Sequence, residues 1–280
     1  MRIAERYAGF SQGEQGGNPA GVLITQSTLS ESEMLMIAKN IGDSETVFAV
    51  PKDNNHFLIR YFAPEAEVDF CGHATIALGK AIANHFGAGQ YSLETNKGIL
   101  ALSASQSGDI FFKSPATSSR PLKEDELRFI WDNSSLSPEQ LDSQYYPAMV
   151  NAGNDHALLV VRETEHVSRF EYDFDAFKTW MQSHQVVTLA VAVISADGEI
   201  RIRNAFAFGG VYEDPATGAA AAAVSGYLRD NKLTELGQLT FTQGVEMGQT
   251  SVLRTSFSNE KGSAIGVGGS AYFLSSVADC

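Results

Sequence analysis

Cys71-Gly72-His73-Ala74-Thr75-Ile76-Ala77-Leu78-Gly79-Lys80-Ala81-Ile82-Ala83 and Glu213-Asp214-Pro215-Ala216-Thr217-Gly218-Ala219-Ala220-Ala221-Ala222-Ala223-Val224 are the two stretches on which the fold turns. From Ala74 to Ala83 and from Ala216 to Val224 the residues are small or apolar nearly all round, so each stretch predicts a helix buried on every side. Such a helix needs a shell. A mixed β-sheet curled into a barrel around each helix supplies one, and the expected fold class is α+β, built as two pseudo-symmetric domains, each with a central helix.

Outward from these helices the two halves repeat in order. Ile59-Arg60 matches Ile202-Arg203, and before them Glu45-Thr46-Val47-Phe48-Ala49-Val50 lies opposite Leu189-Ala190-Val191-Ala192-Val193-Ile194. Further upstream, Gly17-Asn18-Pro19-Ala20-Gly21-Val22-Leu23-Ile24 resembles Gly153-Asn154-Asp155-His156-Ala157-Leu158-Leu159-Val160, each a turn entering an apolar strand. Downstream, Tyr91-Ser92-Leu93-Glu94-Thr95 resembles Leu239-Thr240-Phe241-Thr242-Gln243. The first half carries a further helix between its early strands: Ser30-Glu31-Ser32-Glu33 has capping-box spacing and Gly42 can end it. The second half has its equivalent from Asp173 to His184, with Phe174, Phe177 and Trp180 on one face. Residues 114–138, rich in Ser, Pro and charge, read as a linker, which gives domains 1–117 and 118–280 with the last strand free to return to the first.

With 280 residues, 44 % hydrophobic and 19 % charged, the chain has enough apolar matter for two filled cores. A net charge of -13 without a Lys/Arg cluster excludes nucleic acid as a partner, yet it does not bar a small anion from a ring of backbone N–H groups. Neither a signal-peptide core nor an apolar membrane span is present, so no membrane partner and a cytoplasmic location are expected. Cys71 and Cys280 are far apart in sequence and Cys280 stands at a terminus, so no structural disulfide is expected. The six histidines lack HxH or HExxH spacing, so no metal is expected, and chelators should leave activity unchanged. Gly266-Val267-Gly268-Gly269 lacks the βαβ setting of a dinucleotide site and reads as a turn.

Several side chains offer chemistry, each with a plainer alternative. Glu45 opens an apolar strand; partial burial there would raise its pKa toward neutrality and suit it to proton transfer, whereas full exposure would make it an ordinary strand-end carboxylate. His73 and Asp214 stand at the starts of the buried helices, where free N–H groups favour an anion. Asp214 is equally a helix N-cap, and His73 equally a hydrogen-bonded core histidine. Cys71 is either a thiolate favoured by the helix start or a small buried apolar residue. A two-thiol enzyme would want a second cysteine at the mirror position, read here as Glu213. Arg60 and Arg203 are expected to form exposed pairs on strand surfaces.

Gly17-Asn18-Pro19-Ala20-Gly21-Val22, Ser44-Glu45-Thr46, Cys71-Gly72-His73-Ala74-Thr75 and Glu213-Asp214-Pro215-Ala216-Thr217-Gly218, in this order, resemble the phenazine-biosynthesis isomerase-like (PhzF-like) family of the diaminopimelate-epimerase-like fold. The resemblance spans nearly the whole chain. It implies two barrel domains with a site between them, a homodimer, and catalysis without metal or cofactor. It also implies that Glu45 is the general acid/base and that Gly72, His73, Asp214 and Gly218 bind a small anionic substrate. The best-known reaction of the family moves a hydrogen within a cyclohexadiene bearing amino, hydroxy and carboxylate groups. Family members often carry Ser directly after Thr-Gly in the last motif, where this chain has Ala219, so a substrate hydroxyl contact is missing. Two other functions stay open: an epimerase pairing Glu45 with Cys71 or Glu213, and a carboxylate-binding protein without catalysis.

Overall fold

A computed structural model describes residues 2–278; Cys280 lies outside the described residues. In chain order the elements are β1 (Ile3–Ser11), β2 (Asn18–Ile24), α1 (Glu31–Ile41), β3 (Thr46–Pro51), β4 (His56–Phe62), β5 (Glu67–Val68), α2 (Gly72–Phe86), β6 (Gly89–Thr95), β7 (Gly98–Ala104) and β8 (Asp109–Lys113). There follow β9 (Ser118–Pro121), α3 (Glu124–Asn133), β10 (Ala148–Asn151), β11 (Asp155–Val160), α4 (Thr164–Ser168), α5 (Phe174–His184), β12 (Val186–Ile194) and β13 (Glu199–Ala205). The chain ends with β14 (Glu213–Asp214), α6 (Gly218–Asp230), β15 (Gln238–Gln243), β16 (Ser251–Ser256) and β17 (Gly266–Ala278). It divides into two compact units, Met1–Lys113 with Gly268–Cys280, and Ser114–Val267. Among the described residues no helix is long and apolar enough to cross a membrane.

In the first unit β1, β2, β3, β4, β6, β7, β8 and β17 pair in turn, and β17 closes the ring onto β1. The pairs β2–β3 and β4–β6 are parallel, because a helix crosses over between the strands of each, and the sheet is therefore mixed. Helix α2 is the axis of this barrel, buried from His73 through Gly79 and again at Ala81 and Ile82. Small residues are what let strands close around it: a Cβ on Gly79 would lie 2.3 Å from Ile110 Cγ2. Helix α1 covers the outside through Met34, Ile37 and Ala38, which pack on Leu23, Phe48 and Phe62. Its Ser30–Glu33 capping box forms, and Gly42 ends it at φ 74°.

The second unit repeats the scheme. Strands β10, β11, β12, β13, β15 and β16 pair in that order, with β11–β12 and β13–β15 parallel and the others antiparallel. Helix α6 is buried along nearly its whole length, and α5 packs Phe177, Trp180 and Met181 on the sheet, capped at its start by the Asp173 carboxylate. The region 114–138 is not a linker: it forms β9 and α3, with Ile130 fully buried. Its charged surface face hid the apolar face, and Glu126 holds the helix start by accepting from the Lys123 N–H and from Arg120.

The ladders also correct the repeat register. Phe48 pairs with Arg60, and Val191 with Arg203, so Thr46 matches Leu189 and Glu45 matches Thr188, one residue from the alignment read in sequence. Phe62 pairs with Glu67 as Ala205 pairs with Glu213, and the first helical bonds run from Thr75 N to Cys71 O and from Ala221 N to Thr217 O. Glu213 therefore corresponds to Glu67, and Cys71 to Thr217.

Thr188 is the centre of a buried polar cluster. Its hydroxyl donates to Asn204 Oδ1 at 3.0 Å, so His156 Nδ1–H donates to Thr188 Oγ1 at 2.8 Å and Nε2 keeps its lone pair. Burial holds the His156 pKa down at about 4. Because the folded value lies below the ordinary 6.5, stability should be intact above pH 6.5 and fall as the pH drops toward 4. A loss of about 3 kcal/mol follows if the full shift is expressed. His156→Gln, compared with the parent in denaturant titrations across that range, should flatten this part of the profile; an unchanged slope would contradict the assignment.

Candidate active site

Glu45 sits one residue before β3, at the end of the turn Gly42-Asp43-Ser44. That turn is pinned by Arg6 on β1, whose Nε donates to Asp43 Oδ2 at 2.8 Å, and Gly21 N donates to the Glu45 carbonyl at 3.1 Å. His73 lies in the first turn of α2, and Cys71 is the residue at its N-cap. The close approach of β1 to this turn requires a glycine: a Cβ on Gly9 would stand 2.3 Å from the His73 carbonyl oxygen. The next residue, Phe10, adopts φ 60° at a break in the β1–β17 register.

The imidazole is held on every side. Asn18 Nδ2 lies 3.2 Å from His73 Nδ1, Ser44 Oγ lies 3.3 Å from Nε2, and Glu45 Oε2 lies 3.2 Å from the same nitrogen. Cys71 Sγ is 3.3 Å from Nδ1 and 3.7 Å from Nε2. Glu45 Oε2 is buried and near His73 but out of line for a hydrogen bond, so this oxygen is left without a hydrogen-bond partner.

Burial alone would push the Glu45 carboxyl up, as the sequence suggested, but His73, Ser44 and Cys71 outweigh it and hold the carboxyl below its ordinary value. Burial likewise opposes charge on His73, yet the Cys71 sulfur and the Glu45 carboxylate beside it keep the ring well above the ordinary value. The resting pair is thus carboxylate and imidazolium. In the charged ring Nδ1 is a donor, which the Asn18 amide meets with its oxygen after a half-turn. The Cys71 thiol goes the other way: burial, then the Glu45 charge, push it up to about 11, overriding the helix start that favours thiolate.

Gly72 is the half-buried first residue of α2, and its N–H is one of the free groups at a helix start. In the second unit Gly218 opens α6 and is buried. Asp214 is not the N-cap there; Thr217 is. The Asp214 carboxylate instead accepts from Thr217 Oγ1 at 2.6 Å and from Ala216 N at 3.4 Å, while Gln243 Nε2 donates to the Asp214 carbonyl at 2.6 Å. Nor is Arg203 exposed: it is buried, donates twice to Glu213 Oε2 at 3.0 and 2.7 Å, and reaches the carbonyls of Val167 and Phe170. Glu213 is therefore a strut, with burial pushing its carboxyl up despite the arginine. Sequence reasoning had Glu45, Cys71 and His73 but assigned no role to Asn18, Ser44 or the Arg6–Asp43 pair; only the motif membership of Asn18 and Ser44 hinted at one.

The sequence model of the phenazine biosynthesis-like protein family matches residues 7–276. A Mesorhizobium japonicum protein named as an uncharacterized isomerase is 29 % identical, covering 89 % of this chain and 88 % of its own length. The trans-2,3-dihydro-3-hydroxyanthranilate isomerase of Pseudomonas chlororaphis is 27 % identical over 87 % of this chain and 86 % of its own. In fold, the chain resembles the Bacillus anthracis phenazine biosynthesis protein of the PhzF family, with a TM-score of 0.83, 22 % identity, and 99 % and 98 % of the two chains covered.

Proposed function

We propose, from the premise that this chain belongs to the phenazine biosynthesis-like protein family, that it is an isomerase that moves a proton within a small carboxylate-bearing substrate. Glu45 takes the proton from carbon and returns it, so the reaction needs no cofactor. The observation that carries this reading is the buried Glu45 Oε2, 3.2 Å from His73 Nε2. The carboxylate is placed to accept a proton, and the imidazolium to stabilise negative charge developing on the substrate. Gly72 contributes a helix-start N–H to the substrate carboxylate. Asp214 and Gly218, from the matching motif of the second unit, are assigned to substrate contact on the family likeness.

The Pseudomonas relative makes trans-2,3-dihydro-3-hydroxyanthranilate the first compound to try. Ala219, where a hydroxyl is common in the family, argues for a substrate lacking one polar group or carrying it elsewhere. The decisive experiment incubates small carboxylates with the protein in deuterated water and follows mass. Incorporation of one solvent hydrogen during conversion supports the reading; tight binding without conversion or exchange across the panel would replace it with a carboxylate-binding function.

An epimerase using the Cys71 thiol is disfavoured by that thiol's raised pKa and by Thr217 at its counterpart. Cys71→Ala should accordingly lose packing and keep its chemistry. A thiol base would instead cost about 10²- to 10⁴-fold in kcat, and a loss of that size in a folded variant would restore the epimerase reading.

A further inference from the structure

We propose that the ion pair Arg6–Asp43, on the outer face of the first barrel, positions Glu45 against His73 on the inner face. Arg6 Nε donates to Asp43 Oδ2 at 2.8 Å and Arg6 Nη2 donates to Oδ1, so the guanidinium grips the carboxylate with two parallel bonds. The Asp43 side chain is the enclosed partner, 5 % accessible against 30 % for Arg6. The strands show how the arginine reaches it. Arg6 on β1 stands opposite Gly21 on β2, and Gly21 opposite Thr46 on β3. Residues directly opposite share a face, and Gly21 puts no side chain on it, so the guanidinium can cross β2 to the turn before β3. A Cβ on Gly21 would stand 2.7 Å from Thr46 Oγ1 and 2.9 Å from Ile41 Cδ1.

Ala4, two residues before Arg6, packs beneath α1, which fixes this face as the outer one. Glu45, one residue before Thr46, turns the other way and brings Oε2 to 3.2 Å from His73 Nε2. The pair therefore acts through the main chain. Its hold on Asp43, with the bond from Gly21 N to the Glu45 carbonyl at 3.1 Å, fixes both ends of Asp43-Ser44-Glu45. Ser44 Oγ, between them, lies 3.3 Å from the same His73 nitrogen. A misplacement of about 1 Å in such a group costs about 100-fold in rate. The titratable groups facing Glu45 are His73 and Cys71 from α2; the charged groups of β1 and of the turn are Arg6 and Asp43 themselves. Burial pushes the Glu45 carboxyl up, and His73, Ser44 and Cys71 outweigh it. Loosening the turn weakens those contacts and leaves the burial, so the Glu45 pKa should rise. The effect on turnover rests on the reading of Glu45 as the base; the effect on titration does not.

The first measurement needs no substrate. In the full chain labelled at the glutamate carboxyl carbons, the Glu45 signal, identified by its absence from Glu45→Gln, is titrated by NMR in the parent, in Asp43→Asn and in Arg6→Met. A rise of its pKa is expected in both variants. Charges acting directly through space would move the two oppositely, since losing the Asp43 charge lowers a neighbouring carboxyl and losing the Arg6 charge raises it. Opposite shifts, or no shift in either folded variant, would overturn the proposal. Arg6→Lys, which keeps the charge without the two-bond grip, should fall between the parent and Arg6→Met. Glu213→Gln, destabilised in the other unit, controls for loss of stability alone; an equal rise there would also overturn the proposal. With a substrate in hand, kcat should fall about 10- to 100-fold in Asp43→Asn and Arg6→Met with KM little changed. The acid limb of the pH–rate profile should move up in both, because the base acts ionised. The double variant should be no worse than either single one. Parent kcat in a variant whose Glu45 titration has moved would overturn the role in catalysis. A moved Glu45 titration in a chain whose parent turns over no substrate would count against the proposed function alone.

Discussion

Glu45→Gln is expected to fold as the parent does and to lose about 10²- to 10⁴-fold in kcat, the range a positioned general base contributes. The amide preserves the size of the side chain and can still meet Ser44 and His73, so packing at the end of the turn is kept. What disappears is the negative charge. The imidazolium loses the carboxylate that helps hold its pKa high, and no group remains at that position to take a proton from carbon. Substrate binding should change much less than turnover, because the helix-start N–H assigned to the substrate carboxylate at Gly72 is untouched. The readout is kcat and KM for isomerisation together with solvent-hydrogen incorporation, with circular dichroism as the folding check. Wild-type kcat in a folded Glu45→Gln would end the assignment of this residue as the base.

Glu213→Gln should do the opposite: lower stability by about 3–5 kcal/mol while leaving turnover per folded molecule near that of the parent. The pair Arg203–Glu213 is buried, with the two side chains 8 % and 6 % accessible. Removing the carboxylate charge leaves a guanidinium in the core whose remaining bonds go to main-chain carbonyls around Val167 and Phe170. That cost arises from stranding one buried charge, not from any large net value of the intact pair. Denaturant unfolding measures the first part. Turnover, corrected for the folded fraction, measures the second, and its collapse in a stable variant would make Glu213 a second acid/base on the epimerase pattern.

Much of the fold was legible in one dimension because burial leaves a compositional mark. A helix apolar on all sides, such as 74–83 or 216–224, has no stable place at a surface, and that alone implies a shell of strands around it. The Ser30 capping box was legible for a similar reason: it is satisfied by a neighbour three residues away. Helix α3 was not, since Ser, Pro and charge dominate residues 114–138 while the few apolar positions that bury it are diluted among them. Repeat register was misread for another reason. A one-residue slip between Glu45 and its partner leaves two apolar strands looking equally alike, and the ladder hydrogen bonds that distinguish Thr188 from Leu189 involve residues distant in sequence.

At the site the division is sharper. By itself the sequence determined that two helices are buried, that the chain is duplicated, and, through motifs in order, that Glu45, Gly72, His73, Asp214 and Gly218 were the residues to examine. Tertiary structure alone decided their chemical state. Local burial pointed Glu45 up in pKa, and the fold reverses this because His73 reaches it from another element; for Cys71, left between thiolate and buried thiol, enclosure and the Glu45 charge outweigh the His73 ring and decide for the thiol. It also gathers Glu45 and Cys71 around the one buried imidazole of His73. Burial preference belongs to a residue and its near neighbours, and so can be read along the chain; a pKa depends on distances of a few ångströms between residues that only folding brings together.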